Sequence, residues 1–454
     1  MTGNASLTRD FVAAALAAPV PPDVVTASLS PLEDLLVSSL MAAGAGPVRR
    51  LLGWCVAEGG AGGWLLGHPG AELSRSRAAL AGGFQAHLLD VDDVSDPVRG
   101  HPSAVILPAL FALAPAEASG VEVLAAYVVG LEAMARLARA LPADHYGRGW
   151  HQTGTVGALA ATLAGARLTG AGVEAAVAAL AIAAQSSAAL RVQFGTETKP
   201  LAVGLAAQSA VDALAWAGLG ITAAGDVLGG RAGFLAVHGA EAGRARPILL
   251  DDFGSRWSLV ADGLWVKTGP FCSAGIAPVQ AAQRLAPALA GRSADAVARV
   301  LLRVRPGADQ ALIHRLPATG EQGRFSAEYL VALGLLGRRL DLATLGPGPA
   351  DPDAVALAAR VVREHLPAQR PPAAAPGVRD RWTEVIVEWR DGGADRAVVE
   401  IPEGAPRRPL GEASRAAKRT AAAGARAGEL RDIVAETPDL PWARTVARLR
   451  GFTP

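Results

Sequence analysis

GRGWHQTGTVG (Gly147–Gly157) opens, and TETKPLAVG (Thr196–Gly204) closes, the stretch whose reading decides the fold. Between them the chain is rich in alanine and glycine and apolar nearly all round, the signature of buried, closely packed helices. The pattern predicts helices at about Thr153–Arg167, Gly172–Ser187 and Leu201–Ala217. His151 stands at the start of this block and Lys199 at its end. Of 43 basic residues only three are lysine, at 199, 267 and 418. Arginine is a permanently charged fork, whereas a lysine ammonium is a compact point charge whose proton burial can loosen. A chain that otherwise writes arginine is expected to need the amine at Lys199 and Lys267.

Outward from this block, the first 140 residues also read as helical, with Leu7–Leu16, Asp34–Ala43, Ser74–Gly83, Ala104–Leu113 and Gly120–Leu141 as the main segments. Asp90 to His101, DVDDVSDPVRGH, is a polar loop between two of them. Short helices are expected at Ile221–Leu228 and Arg231–Leu235. Beyond Trp265 the character changes. Val297–Arg305 alternates as a strand, and EVIVEW (Glu384–Trp389), the turn Asp391-Gly392-Gly393 and Arg396–Ile401 read as a hairpin. Pro278–Leu289, Ala327–Leu336 and Ala354–His365 read as helices, Pro367–Pro376 as a loop, and Gly411–Arg450 as helical again. The expected class is mainly α with a smaller α+β domain. A helical domain takes 1–265, with 405–454 returning to it, and the α+β domain takes 266–404.

Composition narrows the function. A formal net charge of +1 provides no basic stripe for nucleic acid. Cys55 and Cys272 are the only cysteines, so neither a disulfide framework nor a cubane iron–sulfur cluster is expected. The start MTGNASLTRDFV carries no secretory pattern, and apolar runs such as Ala175–Ala184 are short for a bilayer, so a cytoplasmic location without membrane contact is expected. There is no Gly-Lys dipeptide for a phosphate loop, no HExxH, no GxSxG elbow and no strand–GxGxxG–helix unit. Apart from the alternative of a metal on Asp90, Asp92 and Asp93, the chemistry is left to side chains acting as acids, bases and ammonium charges.

Five segments then fall in order: HPSAVILPAL (His101–Leu110), GWHQTGTVG (Gly149–Gly157), TKPLAVGLAAQ (Thr198–Gln208), KTGPFC (Lys267–Cys272) and RFSAEY (Arg324–Tyr329). With the ending WRDGGADRAVVEIPEGAPRRPLGEASRAAK (Trp389–Lys418), the set resembles the MmgE/PrpD family of 2-methylcitrate dehydratases, cis-aconitate decarboxylases and related isomerases. The resemblance implies a large helical domain with an α+β lid, a homodimer, no cofactor, and a small carboxylic acid as substrate in a cleft between domains. Carried over by motif, the site comprises Asp90, His101, His151, Lys199, Lys267, Cys272 and Tyr329.

In that reading His151 is a general acid or base, or else a helix-capping residue, and Lys199 neutralises a carboxylate or an enolate-like charge. His101 is a second imidazole or a structural turn residue. Asp90 holds a histidine tautomer or belongs to a solvated acidic loop. Lys267 binds a second carboxylate, Tyr329 donates to a leaving hydroxyl or packs in the core, and Cys272 is a thiol at the site or a small buried residue. Ala202, Val94 and Ile276 depart from the family's His, Thr and His, which points to a substrate other than methylcitrate. The expected activity is a cofactor-independent dehydratase acting next to a carboxylate. Decarboxylation of a cis-aconitate-like acid and epimerisation or isomerisation stand as alternatives, as does a non-catalytic helical dimer that binds or scaffolds.

Overall fold

A computed structural model describes residues 6–367 and 379–453, so positions 368–376 of the expected Pro/Ala-rich loop lie outside the described residues. The chain divides into two compact units, one built from residues up to Leu190, Lys199–Leu264 and Arg415 onward, the other from Arg191–Thr198 and Trp265–Ser414.

The first unit is helical. Its principal helices are α1 (Leu7–Ala17), α2 (Leu29–Ala43), α3 (Arg75–His87), α4 (Ser103–Leu113), α5 (Gly120–Ala140), α6 (Gln152–Leu168), α7 (Val173–Ala183) and α8 (Thr198–Gly218). Ser119 and Glu122 form a reciprocal capping box that fixes the start of α5. At the centre lies α6, buried at every position from Gln152 to Ala166, which is why its sequence shows no polar face. It packs on α4 and α5. Helices α3 and α8 cross with backbones touching: a Cβ on Gly204 would stand 2.3 Å from the Leu80 carbonyl oxygen, and one on Gly83 would stand 2.9 Å from Gly204 Cα. Only glycine permits that approach, and it brings the first turn of α8 beside the segment that follows α3.

In the second unit α9 (Ile276–Leu289) covers part of a four-stranded sheet of β1 (Val297–Val304), β2 (Val361–His365), β3 (Thr383–Trp389) and β4 (Ala394–Val399), ordered β2-β1-β3-β4. The β1–β3 and β3–β4 pairs are antiparallel, and Gly392 supplies the left-handed residue (φ 92°) of the expected turn. The β1–β2 pair is parallel. This corrects the reading of Ala354–His365 as one helix: α11 (Pro352–Ala358) stops, and Val361–His365 pairs with β1. Between β1 and α11 lies α10 (Ala327–Leu335). The chain re-enters the first unit along α12 (Glu412–Ala423), α13 (Ala427–Glu436) and α14 (Trp442–Arg450).

Three other expectations change. Ile221–Leu228 is not helical, whereas Ala242–Leu250 is. The segment 231–235 holds only the start of a four-residue helix, Phe234–Val237. Two segments, Pro22–Ala43 (22 residues) and Thr198–Gly218 (21 residues), do reach the length and hydropathy of a bilayer span, and 67% and 39% of their apolar windows are buried inside the protein.

Candidate active site

Helix α3 ends on His87, whose ring is fully enclosed. The chain then enters Asp90 in the left-handed region (φ 53°), a conformation that aspartate tolerates better than most residues. The acidic segment that follows is not solvated. Asp90, Asp92, Asp93, Ser95 and Asp96 are all at most 4% exposed, and Ser95 pairs with Gly100 to close the loop. His101 then donates its backbone N–H to Thr153 Oγ1 (3.1 Å), tying the loop to the first turn of α6.

The same hydroxyl lies 2.8 Å from Nε2 of His151. His151 is the N-cap residue of α6, but its side chain makes no capping bond, and its backbone N–H donates to the Ala189 carbonyl (3.0 Å). Lys199, in the first turn of α8, donates from Nζ to Asp90 Oδ1 (2.5 Å). Four residues named from the sequence, Asp90, His101, His151 and Lys199, therefore meet within the helical unit.

The structure adds His87 to this group. Its ring centroid stands 4.2 Å from that of His101 and 6.4 Å from that of His151. It also corrects which carboxylate orients the imidazoles. Asp90 is paired to Lys199, and Asp92 takes the rings: His87 Nδ1 is 2.9 Å from both Asp92 oxygens, and His101 Nδ1 is 3.1 Å from Asp92 Oδ2 and 2.9 Å from the Asp93 carbonyl. Acceptors on the Nδ1 side place the ring protons there, which leaves both Nε2 lone pairs facing Asp90 Oδ1, at 3.9 Å for His87 and 3.6 Å for His101.

Burial acts on all of these groups. It lowers the pKa of His87 and carries that of His151 well below the usual imidazole range, assisted for His151 by the Lys199 charge and the neighbouring rings, against the pull of Asp90. His151 is therefore a neutral imidazole at physiological pH. Burial also pushes up on Asp92, but the two imidazoles win, and its carboxyl is held well below the ordinary value. Asp93 goes the other way. Burial and the charge of Asp34 raise it well above the carboxylate range, while Ser103 Oγ hydrogen-bonds its Oδ2 and lies 2.7 Å from Tyr127 Oη. His87, Asp90, Asp92 and His101 have donor atoms within 4.8 Å of one another, a cluster suited to a cation, and one of its members, Asp90, accepts from the Lys199 ammonium.

Lys267, Cys272 and Tyr329 belong to the second unit. Lys267 is fully buried, and Cys272 is 9% exposed with its N–H on the Arg324 carbonyl. The Tyr329 hydroxyl is committed inside its own unit, accepting from Asp351 N (2.8 Å) and donating to the Thr344 carbonyl (3.3 Å). It is a structural tie there and not the open donor expected for a leaving hydroxyl.

Two matched family domains follow the two units up to Ser414, and the second match then continues into helices of the first unit. The MmgE/PrpD N-terminal domain matches residues 8–245, and the MmgE/PrpD C-terminal domain matches 270–437. The chain belongs to the MmgE/PrpD family. Among family relatives, cis-aconitate decarboxylase of Mus musculus is 27% identical over 361 residues, covering 77% of this chain and 72% of the relative. The Homo sapiens cis-aconitate decarboxylase is 28% identical over 360 residues, with the same coverage of each chain. A cis-aconitate decarboxylase of Aspergillus terreus is 30% identical over 148 residues, 31% of this chain and 30% of the relative. Against the MmgE/PrpD pattern, Val94 is buried inside the acidic loop, Ala202 is one turn beyond Lys199 on α8, and Ile276 is buried at the start of α9.

Proposed function

We propose that this protein is a lyase acting on a small di- or tricarboxylic acid, with the bond that breaks lying beside a carboxylate held by Lys199. The observation that carries this reading is the gathering of one ammonium and three imidazoles around a buried Asp90–Asp92 pair. Pairing with Asp90 orients Lys199, whose compact ammonium is the charge set to receive a substrate carboxylate. Its charge then stabilises the negative charge that develops on the acid as the bond breaks.

The relatives named cis-aconitate decarboxylase favour carbon–carbon cleavage over the dehydration expected from sequence. In that reaction the bond to a carboxylate breaks and carbon dioxide leaves. The electron pair stays on carbon, delocalised toward a neighbouring carboxylate, until a proton arrives. His101 is the imidazole placed to deliver it once its Nε2 has taken up a proton from solvent, because the ring lies between Asp92 (3.1 Å) and Asp90 (3.6 Å), two carboxylates that support an imidazolium. One observation favours dehydration as a second reading: His151 is neutral, as a base that removes a proton from carbon must be.

The deciding experiment incubates the protein with cis-aconitate and related acids in deuterated water and follows products by NMR. Decarboxylation yields carbon dioxide and one deuterium on the carbon that lost it. Water loss with every carboxylate retained establishes the hydro-lyase instead. Binding without turnover or exchange for any acid overturns both and leaves a non-catalytic binder. In the active case His151→Asn and Lys199→Met each lower kcat by roughly 10²–10⁴-fold, the usual weight of one acid–base group.

A further inference from the structure

The third lysine lies outside the group just described. Helix α12 docks along the start of α2 through neighbouring basic residues, and two of them are arginine. Arg415 Nη1 donates to Ser30 Oγ (3.4 Å), and Arg419 Nη1 donates to Glu33 Oε1 (2.9 Å). Between them stands Lys418. Its Nζ donates to Asp34 Oδ1 (2.5 Å) and to the Val91 carbonyl (3.0 Å), with the side chain only 12% exposed. The Val91 carbonyl is the one between Asp90, which holds Lys199, and Asp92, which holds two imidazoles. Two acceptors from different elements converging on one point call for a compact ammonium rather than a planar fork. The arginine immediately beside it shows that the helix uses the fork where docking alone is required.

The four buried carboxyls of this region also need balancing. Lys199 answers Asp90, Lys418 answers Asp34, Asp92 takes imidazole N–H groups, and Asp93 bonds Ser103. We propose that Lys418 is a positioning residue of the active site: helix α12 reaches back with this amine to clamp the Asp90–Asp92 backbone, and thereby sets where Lys199 and the His87–His101 pair stand. This rests on the lyase reading for its kinetic consequence, but not for its structural one.

The test compares Lys418→Met, Lys418→Arg and, as the docking control on the same helix, Arg419→Met, each checked for folding by circular dichroism. In full-length protein with 15N-labelled histidine, Lys418→Met shifts the ring resonances of His87 and His101, and Arg419→Met leaves them in place. With a turned-over acid, Lys418→Met lowers kcat by roughly 10²-fold, the scale of an ångström-level misplacement, with KM nearly unchanged. Lys418→Arg recovers little of the loss. Should Lys418→Met fail to fold, Asp34→Asn/Lys418→Met removes the charge together with its partner and is read in the same way. Unmoved histidine resonances and kcat in the Lys418 variants, or equal effects from Arg419→Met, overturn the proposal. If the wild-type protein turns over no acid, the lyase reading fails alone, because the NMR comparison still decides Lys418.

Discussion

Asp92 accepts from two imidazoles at once, which makes it the side chain on which the tautomers of the site depend. An asparagine there keeps the shape but presents an N–H where an acceptor is required. In Asp92→Asn the His87 or His101 proton moves to Nε2, facing Lys199 and Asp90, and the lone pairs turn away from the substrate. The expected result is a folded protein with kcat lowered by roughly 10²–10⁴-fold, read beside the 15N signature of the histidine tautomers. His101, His151 and Lys199 were legible because each stands in a quoted segment shared with the family, and Asp90 because it opens the acidic loop that runs into the first of them. His87 was not, since a lone histidine closing an alanine-rich helix has no local signal. Its partners are placed by the left-handed turn at Asp90, which sends the chain back beneath the ring. The acidic loop stayed open between two readings for a related reason: four aspartates within seven residues fit a partner for histidine or a solvated loop equally well, and only tertiary burial shows them sealed.

Among the elements, the crossing of α3 and α8 does most to build the site, because it carries Lys199 toward Asp90. Gly204→Ala places a methyl 2.3 Å from the Leu80 carbonyl oxygen, a backbone atom that cannot step aside. The helices must separate, at a cost of about 1–3 kcal/mol for overpacking, and the Lys199–Asp90 bond lengthens with them. Gly218→Ala on the same helix meets nothing within 4 Å and serves as the control. Chemical denaturation and kcat, measured on both, should show losses in the first variant alone. The helices of this unit were legible from composition and period, and so was the β3–β4 hairpin from its Asp-Gly-Gly turn. Val361–His365 was not, because this short edge strand, with only Val361 of its five residues buried, follows closely on an alanine-rich helix and shows no alternation that separates it from that helix. Ala242–Leu250 was missed because Pro247 stands inside it.

Across the whole molecule, burial has one sign for histidine. His68, His87, His145, His151 and His238 all have pKa values lowered chiefly by burial, His145 to about 4, which makes five of the eight histidines. A histidine depressed in the folded state contributes stability that is complete above its unfolded pKa, near ~6.5, and is lost as pH falls toward the folded value. In that window the unfolded chain binds protons that the native protein refuses. Asp93 and Asp212, both raised, oppose the trend, because each keeps its proton to higher pH in the native state than in the unfolded chain, but they offset at most one proton apiece against five. The net slope therefore favours unfolding on acidification, at about 1.4 kcal/mol per pH unit for each proton in excess. The denaturation midpoint should fall steadily between pH 7.5 and 5.5, and a flat or rising midpoint would show that these rings are protonated in the native state. His151→Asn and His87→Gln each remove one titrating ring, so each should flatten the slope of midpoint against pH.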